Sequence, residues 1–228
     1  MEVLVVDIGG FRVKVAMRGT TVHRIPTPPL MTPRQLMQAI ATATGNWNYD
    51  HVSIGFPGPV RDNRPVREPV NLGGGWVEFD FSAAFGCPVR MINDAAMQAL
   101  GSYHGGVMLF LGLGTGLGTT LIHDGHLVPM EISHLPFRES ETFESALGKA
   151  GLERLGEACW KQYVLEAIKL YGYALYPDYI VLGGGNVARF NDRELPRIVE
   201  RGDNENAIRG GLRLWEADVA TGHPATNT

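Results

Sequence analysis

Residues 3–17 read VLVVDIGGFRVKVAM, and this stretch decides the fold class. The apolar run over residues 3–7 ends in an acid, which is typical of a buried strand. After Gly9 and Gly10, apolar side chains alternate with other residues as far as Met17, and this alternation predicts a second strand. The two glycines therefore predict a tight turn that joins the strands as a hairpin.

A similar pattern recurs near the middle of the chain. Residues 107–111 are apolar, residues 112–118 read GLGTGLG, and residues 119–123 again have the character of a strand. Strands that alternate with helices are typical of α/β proteins. We therefore predict two similar α/β halves, the first over residues 1–94 and the second over residues 95–228.

Helix signals fall between the predicted strands. Thr32 followed by Pro33 is typical of an N-cap and a first helical residue. Asp94 is the predicted N-cap of a helix that begins at Ala95. Apolar residues at helical spacing predict that residues 142–176 are mostly helical. The other predicted strands span residues 51–56, 89–92 and 179–182.

The composition argues against several classes of protein. The formal net charge of the 228 residues is −4, which disfavours a general nucleic-acid binder. The two cysteines form no CxxC pair, so we expect neither a disulfide framework nor a structural zinc site. No stretch is long and apolar enough to span a membrane, and the first residues lack the features of a signal peptide. A cytoplasmic protein is therefore expected.

The first hairpin carries residues suited to phosphate binding. Gly9 and Gly10 allow backbone N–H groups to approach an anion, and Lys14 adds a positive charge. Asp7, at the strand end, could hold a hydrated magnesium ion, because magnesium favours few carboxylates and several waters. A plain hairpin with a solvated lysine explains this segment equally well when the segment is considered alone.

Two further glycine segments indicate a phosphate or nucleotide. The loop at residues 112–118 has no lysine after its glycines and is followed by a strand, so it is neither a GxxxxGK(S/T) loop nor a dinucleotide fingerprint. The glycines at residues 183–185 precede a possible helix start at Asn186, where a phosphate would be favoured. Ordinary turns are the alternative for both segments. The candidate residues are Gly114, Thr115, Gly116, Gly183, Gly184 and Gly185.

Polar residues follow the fourth predicted strand of the first half. Asn93 and Asp94 lie at its carboxyl end, where ligands gather in open α/β sheets. Asp94 could accept the proton of a hydroxyl that attacks phosphorus, and this role is compatible with capping a helix. Glu131 and His134 could bind sugar hydroxyls, or they could be solvated residues of a surface turn. The histidines show no zinc-type spacing.

Seven segments, taken in order, resemble the motifs of the ROK sugar kinases of the actin-like ATPase superfamily. They are DIGGFRVK (7–14), FPGPV (56–60), NLGGGW (71–76), INDAAMQALG (92–101), LGTGLGT (113–119), EISH (131–134) and VLGGGN (181–186). The resemblance covers residues 3–215 and is greatest to the polyphosphate glucokinases within the family. It implies a two-lobed actin-like ATPase (ribonuclease H-like) α/β fold with a central cleft.

The resemblance also implies roles and ligands. Asp94 would be the general base. The implied sugar-binding residues are Asn71, Asn93, Asp94, Glu131 and His134. The implied residues around magnesium, phosphate and nucleotide are Asp7, Gly9, Gly10, Lys14, Gly114, Thr115, Gly116, Gly183, Gly184 and Gly185. The implied ligands are a small sugar, Mg²⁺ and either ATP or polyphosphate, and the family often forms homodimers.

Two residues depart from the family pattern. Phe11 stands where the family usually has Thr or Ser, so a hydroxyl contact to phosphate is lost. Ser133 replaces the glycine before the sugar-binding histidine, where its side chain could narrow the pocket. A degenerate sugar-binding sensor and a phosphoanhydride hydrolase therefore stay open beside a kinase with glucose as the first acceptor to test. The sequence selects neither the sugar nor the donor.

Overall fold

The computed structural model describes residues 1–45, 47–138, 140–203 and 205–216. The chain forms two compact units, of which the first contains residues 1–101 and the described residues from Ala207 onward. The second unit contains residues 102–206. This division differs from the predicted boundary at residue 94, because two helices around residues 94–102 and 206–213 pack with the first sheet, as described below. Residues 217–228 of the predicted second half lie outside the described residues.

The first unit is built around a mixed sheet of five strands. Along the chain its elements are β1 (Val3–Ile8), β2 (Arg12–Ala16), β3 (His23–Pro26), α1 (Pro33–Thr44), β4 (His51–Phe56), β5 (Val60–Arg61), β6 (Arg64–Pro65), α2 (Phe81–Phe85), β7 (Val89–Asn93) and α3 (Asp94–Ser102). The sheet order is β3-β2-β1-β4-β7, and β5 pairs separately with β6. The hairpin of β1 and β2 confirms the prediction made from residues 3–17.

The register of this sheet decides which side chains meet. β1 pairs in parallel with β4, where Asp7 lies opposite Gly55. β4 pairs in parallel with β7, where Gly55 lies opposite Ile92 and Phe56 opposite Asn93. Because the three strands run the same way, their carboxyl ends lie at one edge of the sheet. That edge carries the acids singled out in the sequence.

One face of the first sheet packs against α1 and the segment that follows β6. Trp76 is fully buried, with its ring centroid 5.7 Å from that of Phe56 and 6.3 Å from that of Phe81. The predicted start of α1 is confirmed, since the Thr32 side chain accepts from the backbone of Gln35 and a proline occupies the first turn. Burial of these large apolar side chains stabilises the unit by excluding water from them.

The second unit contains another five-stranded sheet. Its elements are β8 (Val107–Leu113), β9 (Leu117–His123), β10 (His126–Met130), β11 (Pro136–Arg138), β12 (Glu141–Thr142), α4 (Phe143–Leu147), α5 (Lys149–Leu175), β13 (Tyr179–Gly183) and β14 (Val199–Arg201). Short 3₁₀ helices span Ile132–His134, Gly185–Arg189 and Asp192–Glu194. The sheet order is β10-β9-β8-β13-β14.

The two sheets share one plan, which confirms the repeat predicted from the sequence. In each sheet an antiparallel three-stranded meander is followed by a strand that pairs in parallel with the meander's first strand, and by another that pairs in parallel with that added strand. The predicted mixed α/β class is therefore correct. No helix among the described residues combines the length and apolarity needed to cross a lipid bilayer.

The long helix α5 covers one face of the second sheet. Trp160, Val164, Ile168 and Tyr171 are buried along it, as the helical spacing predicts. The Trp160 indole N–H also donates to the carbonyl of Leu147, at 2.9 Å. The prediction that residues 142–176 are mostly helical is confirmed, with α4 and α5 as separate helices and a break within α5 at a glycine, residue 156, with a φ of 73°.

The last described helix, α6 (Asn206–Arg213), packs with the first unit. A Cβ built at Gly210 would lie 1.8 Å from the carbonyl oxygen of Met97, so α6 and α3 touch through their backbones. Beyond α6, the Trp215 indole N–H donates to the Ser53 hydroxyl at 2.9 Å, and that hydroxyl donates to the carbonyl of Gly211 at 2.6 Å. These contacts place both helices on the first sheet.

Candidate active site

Asp7 and Lys14 form an ion pair at the end of the first hairpin. They lie opposite each other across β1 and β2, with Asp7 Oδ2 3.1 Å from Lys14 Nζ. The Asp7 side chain is 6% exposed and that of Lys14 is 25% exposed. Burial raises the pKa of Asp7, and the charge and hydrogen bond of Lys14 partly oppose that rise. The lysine is therefore not the solvated side chain of a plain hairpin.

The turn between β1 and β2 is tight at Gly9. The Gly9 N–H donates to the carbonyl of Arg12 at 3.0 Å, and a Cβ at Gly9 would lie 2.9 Å from the same oxygen. Gly10 continues the turn and is partly exposed. The next residue, Phe11, is 62% exposed, so no hydroxyl is presented at this position. Instead, the nearby Thr27 hydroxyl donates to the carbonyl of Gly9 at 3.2 Å.

Asp94 lies close to Asp7 at the same edge of the sheet. A Cβ built at Gly55 would be 3.4 Å from both Asp7 Oδ1 and the Cα atom of Asp94, and 2.5 Å from the side chain of Met97. Asp7 and Asp94 thus both lie beside Gly55, and the side chain of Met97 leaves little room there for a Cβ. The structure therefore brings together the proposed base and the acid of the first hairpin.

The predicted cap of α3 is wrong. Asn93, not Asp94, caps the helix, because the Asn93 side-chain oxygen accepts from the Ala96 N–H at 3.1 Å. The Asn93 amide also donates to the carbonyl of Gly58 at 3.2 Å. Asp94 is the first residue of α3, where its carboxylate accepts from the Ala95 N–H at 2.8 Å. The positive end of the helix favours the ionised form of a carboxylate placed there.

Asn71 is exposed, on a loop held by other residues. The Glu68 carboxylate accepts from the backbone N–H of Trp76 at 3.0 Å, and Gly73 donates its N–H to the carbonyl of Met31 at 3.0 Å. Within the described part of the chain, Asn71 makes no side-chain hydrogen bond. The structure therefore leaves the role of Asn71 as a prediction.

The glycine loop of the second unit folds onto itself and onto the start of α5. The Gly114 N–H donates to the carbonyls of Gly112 and Gly116, each at 3.1 Å. Thr115 is exposed, and its carbonyl accepts from the N–H of Lys149 at 3.0 Å. The loop is thus an ordered turn whose backbone geometry is fixed by its own hydrogen bonds.

The second glycine segment touches the first. Gly184 has a φ of +83°, and a Cβ there would lie 2.4 Å from the carbonyl oxygen of Leu113. Gly183 lies under the ring of Phe110, since a Cβ at Gly183 would be 2.2 Å from Cζ of that ring. The Asn186 amide donates to the carbonyl of Gly114 at 3.4 Å. The predicted helix start is a 3₁₀ helix that begins at Gly185.

His134 lies between two carboxylates. Its Nε2 is 3.2 Å from Glu131 Oε2, and its Nδ1 is 3.4 Å from Glu144 Oε2. All three side chains are between 40% and 54% exposed, so their polar atoms remain accessible to a ligand. A histidine flanked by two carboxylates offers both donors and acceptors, which suits a polyhydroxylated molecule.

Glu144 is the site residue that the sequence analysis missed. It lies in the first turn of α4, after the Thr142 N-cap, where an acid is readily explained by the helix dipole. A Cβ at Gly116 would lie 2.6 Å from Glu144 Oε1, so Glu144 also touches the glycine loop. The glycine loop and the Glu131–His134–Glu144 cluster therefore form one continuous polar region of the second unit.

The described residues contain no group of three or more His, Cys, Asp or Glu side chains arranged around a common point for a metal. A magnesium ion that keeps most of its waters needs only one or two carboxylates. Asp7 is the carboxylate at the end of β1 that such an ion would use, and its Oδ2 is already paired with Lys14 Nζ at 3.1 Å.

Comparison with known proteins places these observations in a family. A sequence model of the ROK family matches residues 3–131. The chain is 25% identical over 243 aligned residues to a polyphosphate glucokinase of Mycobacterium leprae, covering 94% of this chain and 74% of the relative. It is 28% identical over 145 residues to an N-acetylmannosamine kinase of Citrobacter koseri, covering 56% of this chain and 50% of the relative.

A solved structure shows the same fold. The inorganic polyphosphate/ATP-glucomannokinase of Arthrobacter sp. strain KM superimposes with a TM-score of 0.78 at 24% identity. The superposition covers 92% of this chain and 96% of that one. The α/β fold expected for the actin-like ATPases is thereby confirmed.

Proposed function

Because this chain belongs to the ROK family, we propose that it is a sugar kinase that transfers a phosphoryl group from ATP or polyphosphate to a hexose hydroxyl. The observation that carries the proposal is the edge of the first sheet, where the backbone of Asp94 and the carboxylate of the buried Asp7–Lys14 pair both lie beside Gly55. Phosphoryl transfer requires a group that positions or deprotonates the attacking hydroxyl, positive charge beside the donor phosphates and a ligand for magnesium. Asp94, Lys14 and Asp7 would fill these three roles in that order.

The first unit supplies the base and part of the phosphate site. Asp94 accepts the proton of the attacking hydroxyl, so that the oxygen becomes a better nucleophile as the bond to phosphorus forms. It lies in the first turn of α3, where its carboxylate accepts from the Ala95 N–H at 2.8 Å. Lys14 offsets negative charge on the donor, and the turn at Gly9 and Gly10 lets backbone approach the phosphate. Asn93 fixes the start of α3 and hence the carboxylate beside it.

The second unit supplies the groups that bind the acceptor. Glu131, His134 and Glu144 together accept and donate hydrogen bonds to sugar hydroxyls. The backbone around Gly114, Thr115 and Gly116 contributes to binding the phosphates of the donor. The segment at residues 183–185 binds the nucleotide or a longer phosphate chain. The role of Asn71 in sugar binding stays a prediction.

Asp7 is the residue that would hold a magnesium ion, which would supply positive charge to the donor phosphates. Lys14 lies within hydrogen-bonding distance of the same carboxylate, so it shares the neutralisation of charge there. The homodimer and the cytoplasmic location expected from the sequence stay predictions.

One experiment tests the proposal directly. The purified protein is incubated with magnesium and either ATP or polyphosphate, each crossed with glucose, mannose and N-acetylmannosamine, and sugar phosphates are detected by mass spectrometry. The proposal predicts a sugar phosphate in at least one combination and none when the sugar is omitted.

The same experiment distinguishes the alternatives. Sugar binding without transfer from either donor would indicate a sensor, and the exposed Phe11 in the phosphate turn is the one observation that favours it. Release of phosphate from the donor that does not depend on any sugar would indicate a hydrolase. Either result would contradict the proposed kinase activity.

A further inference from the structure

Ser133 is a buried polar residue in the turn that carries His134 of the proposed acceptor site. It lies in the 3₁₀ turn Ile132–His134, directly before His134 and two residues after Glu131. Only 2% of Ser133 is exposed, whereas the side chains of Glu131 and His134 are each 54% exposed. A hydroxyl so deeply placed among accessible polar groups needs a hydrogen-bond partner.

The described part of the chain supplies no such partner. Among the described residues, none forms a hydrogen bond with the Ser133 hydroxyl. In the described part of the chain, the fully buried side-chain nitrogen and oxygen atoms that lack a hydrogen-bond partner are Trp76 Nε1 and Thr120 Oγ1. Ser133 Oγ is not one of them, so the small exposed part of Ser133 includes its hydroxyl. The hydroxyl oxygen thus has no hydrogen-bond partner within residues 1–45, 47–138, 140–203 and 205–216, and a small part of it reaches the surface.

The surrounding backbone holds this hydroxyl in a fixed position. The His134 N–H donates to the carbonyl of Glu131 at 3.1 Å, and the Tyr171 hydroxyl donates to the carbonyl of Ile132 at 3.1 Å. The turn is therefore fastened to α5 on the side away from solvent. A hydroxyl on such a rigid turn can discriminate between ligands, because little conformational freedom is lost when it binds.

We propose that Ser133 is a specificity-determining residue whose hydroxyl forms a hydrogen bond with one particular hydroxyl of the acceptor sugar. This rests on the proposed function only for the class of ligand, a hexose. The site then rejects a sugar that lacks that hydroxyl, since Ser133 Oγ would be left unpaired and shielded from water.

Equilibrium binding tests the proposal without any need for phosphoryl transfer. Isothermal titration calorimetry compares glucose with its 1-, 2-, 3- and 4-deoxy analogues on the wild type and on Ser133→Ala. Ser133→Ala should bind glucose about threefold to tenfold more weakly, the worth of one neutral hydrogen bond. It should also lose the wild type's preference for glucose over one analogue only, while keeping its preference over the other three.

Two further measurements keep the result unambiguous. The Ser133→Ala protein should melt no lower than the wild type, because the hydroxyl has no protein partner among the described residues. Ser133→Gly should weaken glucose binding as Ser133→Ala does. A lower melting temperature for Ser133→Ala would show that the hydroxyl supports the fold, and tighter binding by Ser133→Gly would show that Ser133 acts only by its bulk. Either would overturn the proposal.

The proposed function can fail separately. If the wild type binds these sugars but phosphorylates none of them, the kinase assignment fails while Ser133 is still judged by the binding ratios. If the ratios are the same in wild type and Ser133→Ala for every analogue, the inference about Ser133 fails and the kinase assignment stands. A wild type that binds none of the five sugars would overturn both.

Discussion

Replacing Gly116 with alanine should damage sugar binding while leaving the fold intact. A Cβ at Gly116 would lie 2.6 Å from Glu144 Oε1, against about 3.4 Å for an ordinary contact, so the carboxylate oxygen must move by about 0.8 Å. The obstacle is the end of a flexible, 40% exposed side chain, so we expect a loss of stability below about 1 kcal/mol.

The effect on the acceptor should be larger. A shift of this size removes a charge-assisted hydrogen bond between Glu144 and the sugar, worth about 1.5–3 kcal/mol. The dissociation constant for the acceptor should therefore rise by about 10- to 150-fold. Calorimetric titration of the acceptor, with no phosphoryl donor present, gives this quantity, and a urea titration gives the stability.

Gly114→Ala is the matched control in the same loop. The nearest atom to a Cβ at Gly114 is the carbonyl oxygen of Gly116, at 4.0 Å, so nothing has to move. This variant should bind the acceptor as the wild type does. Wild-type sugar affinity in Gly116→Ala would refute the proposal that Glu144 binds the sugar. A large loss of stability in Gly116→Ala would refute the expectation that the Glu144 side chain can move aside without strain.

Two further predictions concern stability. Gly184→Ala should lower the free energy of unfolding by at least about 2 kcal/mol, because φ is +83° and a Cβ would lie 2.4 Å from the carbonyl oxygen of Leu113. Gly185→Ala is the control, because a Cβ at Gly185 would lie in open space, and urea titrations should show it to be nearly as stable as the wild type. Asp7→Asn should be inactive but at least as stable as the wild type at pH 7. Burial raises the folded-state pKa of Asp7 above its ordinary, unfolded-state value, so the wild type loses stability as the pH rises from the unfolded-state pKa to the folded-state pKa. Lys14 remains partly solvated in this variant, so a lower urea midpoint at pH 7 than in the wild type would contradict the second prediction.

The strands could be predicted because they depend on local patterns. The apolar run and glycine turn near residue 3 and their recurrence near residue 107 have the period of strands and hairpins, and the first hairpin of each sheet follows from them. Thr32 and Pro33 likewise carry their own signal, since capping involves neighbours in sequence.

The features that the sequence did not reveal depend on distant contacts. Asn93 and Asp94 are both residue types that cap helices well. The hydrogen bond from the Asn93 amide to the carbonyl of Gly58, which is distant in sequence, favours Asn93 as the N-cap of α3. The addition of α6 to the first unit depends on close backbone contact at Gly210, which has no local pattern. Glu144 was hidden because an acid in the first turn of a helix already has a structural explanation.

The most direct test concerns the carboxylate of Asp94. The rate of sugar phosphorylation in a single turnover is measured for the wild type, for Asp94→Asn and for Asp80→Asn, together with the affinity of each for the sugar. Asp80 caps α2 in the same unit, and asparagine is an equally good cap there, so Asp80→Asn should keep wild-type activity. Asp94→Asn should lose about 10²- to 10⁴-fold in rate with sugar affinity little changed, as expected for a lost general base. Full activity of Asp94→Asn would contradict the account.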